Sequence, residues 1–163
     1  MILTIQPTVW NGIDRRKGHP SLADLRILTD SLLDRDNQIK QDLNKFKTIA
    51  DELPVGVWYC DADGNASYVN KTWCKWAGVV DYECLGHGWL ESIVAEDKLR
   101  TAKQWAKSVL DGKDYKAFYR IINKYTGSEK KCFALGKKIN SQHWVGLTID
   151  LDEIGGTFYE SRE

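Results

Sequence analysis

The sequence predicts an α+β domain: a five-stranded antiparallel sheet with helices on one face, preceded by a long N-terminal amphipathic helix. Three observations carry this expectation. Apolar residues recur at every seventh position between residues 21 and 53, a stretch without Gly or Pro. Short period-two runs bounded by turn residues fall into two groups, one of two strands and one of three. Between the groups lie helical pieces broken by Gly78, Gly86 and Gly88, followed by one longer helical period. Strands and helices collected in separate runs argue for α+β rather than a parallel, alternating fold.

Composition narrows the function classes. A chain of 163 residues suits one domain plus extra segments and buries roughly two thirds of its unfolded surface. Lys plus Arg (23) equals Asp plus Glu (23), so no net field draws the protein to nucleic acid or to an anionic membrane; a small molecule or another protein is the expected partner. The N-terminal MILTIQPTVWNGIDRRKG has no apolar run fit for a secretory signal, and no stretch approaches the roughly 20 apolar residues of a membrane span. A cytoplasmic location is therefore expected. Cys60, Cys74, Cys84 and Cys132 form no C-x-x-C pair and read as buried free thiols. Seven Trp and seven Tyr exceed what a minimal core needs, which leaves an aromatic-lined cavity or interface open beside ordinary packing.

Each element follows from local signals. Residues 1–20, with Pro7, Gly12, Gly18, Pro20 and the cluster Arg15-Arg16-Lys17, read as a flexible basic arm. Ser21 after Pro20, with Asp24 three residues on, marks a helix start, and Pro54 stops that helix near Leu53. Within it Leu25, Leu32, Ile39 and Phe46 form a seven-residue stripe, the pattern of a two-helix seam. The alternative is one amphipathic helix folding back on its own domain. Next, VGVWYC and ASYV flank the turn Asp61–Gly64 as a hairpin. From Glu96 to Leu110 the apolar positions Leu99, Ala102, Trp105, Ala106, Val109 and Leu110 keep helical spacing, and Asp111-Gly112 ends the helix. Strands at Tyr115–Asn123, Lys130–Ile139 and His143–Leu151 are joined by turns at Gly127 and Asn140-Ser141.

This order of elements, with its short motifs, resembles the PAS family over residues 45–153. FKTIADELPVGVWYCDADGNASYVNKTWCKWAG resembles the family's opening, with Leu53-Pro54 leading into the first strand, Asp61 and Gly64 in the hairpin turn, and Tyr68-Val69-Asn70 in the second strand. CLGHGWLESIVAEDK resembles its short central helices and the acidic start of its longer helix, with Leu85, Gly86, Trp89, Leu90, Ile93 and Asp97 at matching positions. VGLTIDLDE resembles the last strand and exit through Gly146, Asp150 and Glu153, with Asp152 standing where Thr is usual. The resemblance implies a sensor or relay in signal transduction, with no catalytic role. Only residues 154–163 follow the exit, so no output module is expected in this sequence, which reads equally as a small protein or as the sensor fragment of a histidine kinase or diguanylate cyclase.

Alternation puts Cys132, Ala134 and Gly136 on one face of the fourth strand and Lys131, Phe133, Leu135 and Lys137 on the other. The resemblance implies that the small set faces the helices. The space it leaves would be lined by Trp58, Cys60, Tyr119, Ile121, Trp144 and Thr148 as a ligand cavity, or filled by the Trp rings themselves. Phe133 and Leu135 would then form an outer apolar patch, covered by the N-terminal stripe of the same or a partner subunit in a homodimer. Haem in such domains commonly takes an axial His from the long helix, and residues 96–110 contain none; His87 and His143 lie elsewhere. A flavin photoadduct needs a Cys after a Gly-x-Asn step, where this chain reads Gly86-His87-Gly88-Trp89. No phosphate-cradling loop, His-Glu metal helix or nucleophile motif occurs. The expected partners are thus an unknown small molecule, a signalling protein, or a second copy.

Overall fold

A computed structural model describes residues 21–153; the basic arm of residues 1–20 and the tail of residues 154–163 lie outside the described residues. Two compact units divide at Phe46 and Lys47. Helix α1, Leu22–Glu52, supplies the described part of the first unit, and its last turns enter the second. Its start is the expected capping box: the Asp24 amide donates to Ser21 Oγ (3.2 Å), while the Ser21 amide donates back to Asp24 Oδ2 (2.9 Å). An Asp36–Lys40 pair at helical spacing decorates the polar face. Leu25, Leu32, Ile39 and Phe46 are all exposed, Leu32 at 55% and Ile39 at 64%. The helix stops before Pro54, whose ring disfavours helical backbone at Leu53.

The second unit is the expected α+β domain. Strands β1 (Gly56–Cys60) and β2 (Ala66–Val69) form the first hairpin, followed by α2 (Lys71–Ala77), α3 (Asp81–Cys84), a 3₁₀ turn (Gly88–Ser92) and α4 (Ala95–Asp111). Strands β3 (Tyr115–Ile122), β4 (Glu129–Ile139) and β5 (His143–Asp150) complete an antiparallel sheet of order β2-β1-β5-β4-β3. The first and last strands in sequence are thus neighbours at its centre. In the first hairpin turn Asp61 Oδ1 accepts the amides of Asp63 (3.0 Å) and Asn65 (2.9 Å). Gly64 follows at φ +84°, a conformation that favours glycine.

Two differences from the sequence reading have physical causes. Asn70 does not extend the second strand: its side chain accepts from the Trp73 amide, so it ends β2 and caps α2. On α4, Leu99 and Leu110 are exposed, whereas Thr101 and Trp105 are buried. The apolar count spread the contact face too widely, because the helix meets the core along a narrow line through Thr101 and Trp105, one turn apart.

Candidate functional site

The alternation inferred for β4 is present: Cys132, Ala134 and Gly136 are buried, Lys131 and Lys137 are exposed, and Phe133 and Leu135 are half-buried. Antiparallel pairing aligns one residue from each strand into a row across the inner face: Val69, Trp58, Gly146, Gly136 and Tyr115. The row explains its glycines. A Cβ at either Gly136 or Gly146 would run into the Trp58 indole, and one at Gly146 would also strike the Leu135 carbonyl oxygen. The space left by these small residues is therefore occupied by the ring of Trp58, laid sideways across two strands.

Helix α4 closes the cluster from above. The Trp105 ring meets Trp58 (5.5 Å between centroids), Tyr115 (5.0 Å) and Trp144 (5.2 Å), each edge to face. Its Nε1–H donates to the Gly64 carbonyl (3.0 Å), tying α4 to the first hairpin turn. A cavity of about 30 Å³ remains, walled by Trp58, Cys60, Ala66, Val69, Trp73, Trp89, Trp105, Tyr115 and Tyr119. Of the nine residues inferred for a pocket, Trp58, Cys60 and Tyr119 wall it, whereas Ile121, Cys132, Ala134, Gly136, Trp144 and Thr148 lie buried in the surrounding inner face. Ala66, Val69, Trp73 and Trp89 had no signal marking them as walls, since that depends on how the central helices fold over the sheet.

The polar groups here are few. Tyr119 Oη and Thr148 Oγ1 share a hydrogen bond (3.2 Å). Three buried polar atoms have no hydrogen-bond partner among the described residues: Thr101 Oγ1, Tyr115 Oη and Trp144 Nε1. All three surround Trp105, on the preceding helical turn or on rings packed against it. An unpartnered buried polar atom costs about 1–3 kcal/mol, so this is where a water or a small polar ligand gains most by entering. Burial raises the Tyr115 and Tyr119 phenols well above their ordinary range, keeping both neutral donors.

A second node joins α1 to this face. Fully buried Asn70 donates through Nδ2 to the carbonyls of Ala50 (2.6 Å) and Val55 (2.9 Å), while Oδ1 accepts the amides of Val57 (2.9 Å) and Trp73 (3.2 Å). One amide side chain thereby links the end of α1, the start of β1 and the start of α2. Around it the Thr72 hydroxyl donates to the Leu53 carbonyl (2.7 Å), and the Lys71 amide to Asp51 Oδ1 (2.9 Å).

The opposite face of the sheet is more open. Phe118 and Phe133 stack at 4.5 Å, Tyr59 stacks on His143 at 5.2 Å, and Leu135, Val145 and Leu147 contribute to a shallow groove of about 250 Å³. His143 therefore sits away from the inner cavity, and His87 is exposed.

Comparison with known proteins agrees with this architecture. Residues 66–145 match the PAS fold family. A PAS domain of an HTR-like protein from Haloarcula marismortui superposes with a TM-score of 0.55 at 16% identity, covering 71% of this chain and 97% of that one. A domain of a sensory box sensor histidine kinase/response regulator from Geobacter sulfurreducens gives 0.54 at 15% identity, covering 69% and 96%. An uncharacterized protein of Sinorhizobium fredii is 28% identical over 60 residues, which is 37% of this chain and 7% of that much longer protein.

Proposed function

We propose that this chain, whose residues 66–145 match the PAS fold family, is a non-catalytic sensor or relay of signal transduction, working in the cytoplasm as a homodimer. Its signal is a small ligand at the inner aromatic face or a partner protein on the outer one. The Asn70 node carries the reading. Any event that moves Trp73, which walls the cavity from α2, pulls on the same side chain that holds the last turn of α1. The stripe Leu25, Leu32, Ile39 and Phe46 then transmits the change between two copies, with Phe133 and Leu135 on the outer face as a further contact. The similarity to a domain of a sensor histidine kinase supports such a role.

A specific observation favours a second reading, that of an interaction module with a filled cavity. The remaining 30 Å³ is far below the roughly 300 Å³ or more of ordinary ligand pockets, because Trp58 occupies the glycine row. Native mass spectrometry and an absorption spectrum of the purified protein separate the two. A stoichiometric small molecule supports the ligand sensor, whereas a colourless, empty protein favours the interaction module. Light scattering tests the dimer: wild type is expected at twice the chain mass and Ile39→Glu at the chain mass, and a monomeric wild type counts against the α1 stripe.

A further inference from the structure

Helix α4 carries an apolar stripe that the core does not take up. Leu99 and Leu110 are 66% and 86% exposed, and between them Ala102 and Ala106 keep the same side of the helix, their small side chains leaving the surface low. Beside the stripe lies a groove of about 440 Å³, walled by Leu90, Ala102, Trp105, Ala106, Val109 and Leu110, with Asp63 and His87 as its polar members. Ordinary ligand pockets span roughly 300–1,000 Å³, a range that this groove reaches and the inner cavity of about 30 Å³ does not. Among the described residues Trp105 alone walls both spaces.

The walls are held in place by the backbone. The first hairpin turn sits on α4: Trp105 Nε1 donates to the Gly64 carbonyl (3.0 Å), and a Cβ at Gly64 would stand 2.7 Å from the Val109 side chain. The turn that brings His87 and Leu90 to the groove is closed by the Gly88 amide on the Leu85 carbonyl (3.0 Å) and the Leu90 amide on the His87 carbonyl (3.1 Å). The charge of the groove is one-sided, since its walls carry one carboxylate and no Lys or Arg. Asp61 spends its carboxylate inside the turn, accepting the amides of Asp63 and Asn65 and the Asn65 side chain (3.0 Å). Asp63 is exposed, and its carboxylate makes no hydrogen bond or ion pair among the described residues.

We propose that this groove is a binding site for a small cationic amphiphile, an aromatic or aliphatic body bearing a protonated amine. The body lies against Ala102, Ala106, Val109 and Leu110, and the ammonium group pairs with Asp63. The site is separate from the inner cavity and independent of whether that cavity holds a ligand. The walls select the class by exclusion: an anion meets a like charge at Asp63, and a neutral molecule leaves that carboxylate without a partner. An exposed apolar surface rimmed by polar groups is where such a body gains most by leaving water. A molecule seated there also touches the inner cluster through one ring, because Trp105 packs on Trp58, Tyr115 and Trp144.

The test titrates the full chain near neutral pH with three molecules of one shape and different charge: phenethylamine, phenethyl alcohol and hydrocinnamate. Binding is followed by amide proton–nitrogen correlation spectra. Phenethylamine should shift the amides of Leu90, Ala102, Ala106 and Leu110 saturably, with the millimolar affinity ordinary for so small a molecule; the alcohol should bind more weakly and hydrocinnamate weakest. Asp63→Asn should weaken the amine about two- to fivefold, the worth of a solvent-exposed charge pair, and leave the alcohol unchanged. Ala106→Trp, at an exposed position, should fill the groove and abolish the shifts; if that variant folds poorly, wild type and Asp63→Asn decide. The proposal is overturned by amine shifts that are absent or confined to the inner face, by hydrocinnamate binding as well as the amine, or by an amine affinity that Asp63→Asn leaves unchanged. Shifts at the same amides on raising the protein concentration alone would give the groove to a second copy and overturn it as well.

Discussion

The two faces of this sheet are built from the same strands, yet one is closed and the other open. On the inner face glycines at 136 and 146 make a trough, Trp58 lies in it, Trp105 and Tyr115 pack on that ring, and Trp144 packs on Trp105. On the outer face Phe118, Phe133, Leu135 and Leu147 stay partly exposed, the two leucines lining a shallow groove. The period of two in a strand lets one sequence specify both surfaces, so a substitution one residue along changes the face it acts on. The inner face thus governs stability, and the outer face is the one proposed for association.

Substitutions on the two faces should break in opposite ways. Trp58→Ala removes the ring over the trough and is expected to cost about 3–5 kcal/mol in urea unfolding; a loss below about 1 kcal/mol would mean that the inner face collapses around the gap. Gly146→Ala should cost about 1–3 kcal/mol by overpacking. Part of that cost should vanish in the Trp58→Ala background, since the added carbon meets the indole, but part should remain, since it also meets the Leu135 carbonyl. A smaller effect is expected from acid at the margin of the sheet. Burial works to raise the Asp97 carboxyl, but hydrogen bonds from the Arg120 guanidinium and backbone outweigh it and hold the pKa below the ordinary carboxylate value. A depressed folded-state pKa gives stability that is present above the unfolded value and lost as pH falls through the folded one. Acid below about pH 4 should therefore destabilise wild type more than Asp97→Asn, and equal acid profiles would remove the ion pair from the account. Leu147→Gln, on the outer face, should change the stability of the unassociated chain by no more than about 0.5 kcal/mol while weakening self-association measured by sedimentation.

Much of the fold was legible because its signals are local. Ser21 with Asp24 reports the start of α1, Asp61 with Gly64 the first turn, Gly112 the end of α4, and alternation in β4 its buried side. What remained hidden depends on pairs brought together only by the sheet register and the folding of the central helices. Trp58 over Gly136 and Gly146 requires knowing that β1, β5 and β4 are neighbours in that order. Asn70 could have been found, because an Asn before a helical run is a cap signal; its assignment to the second strand concealed it. The abundance of Trp was a true signal of an aromatic inner face, although composition alone could not say whether the rings line a space or fill it.

Chemical rescue of Trp58→Ala measures the central claim most directly, namely that the inner face is a trough filled by its own indole. The melting temperature of the variant is followed as free indole is titrated, beside wild type under the same conditions. The account predicts that indole raises the melting temperature of the variant, saturably, and leaves wild type unchanged. An equal response in both proteins, or no response in a variant that remains folded, would contradict it.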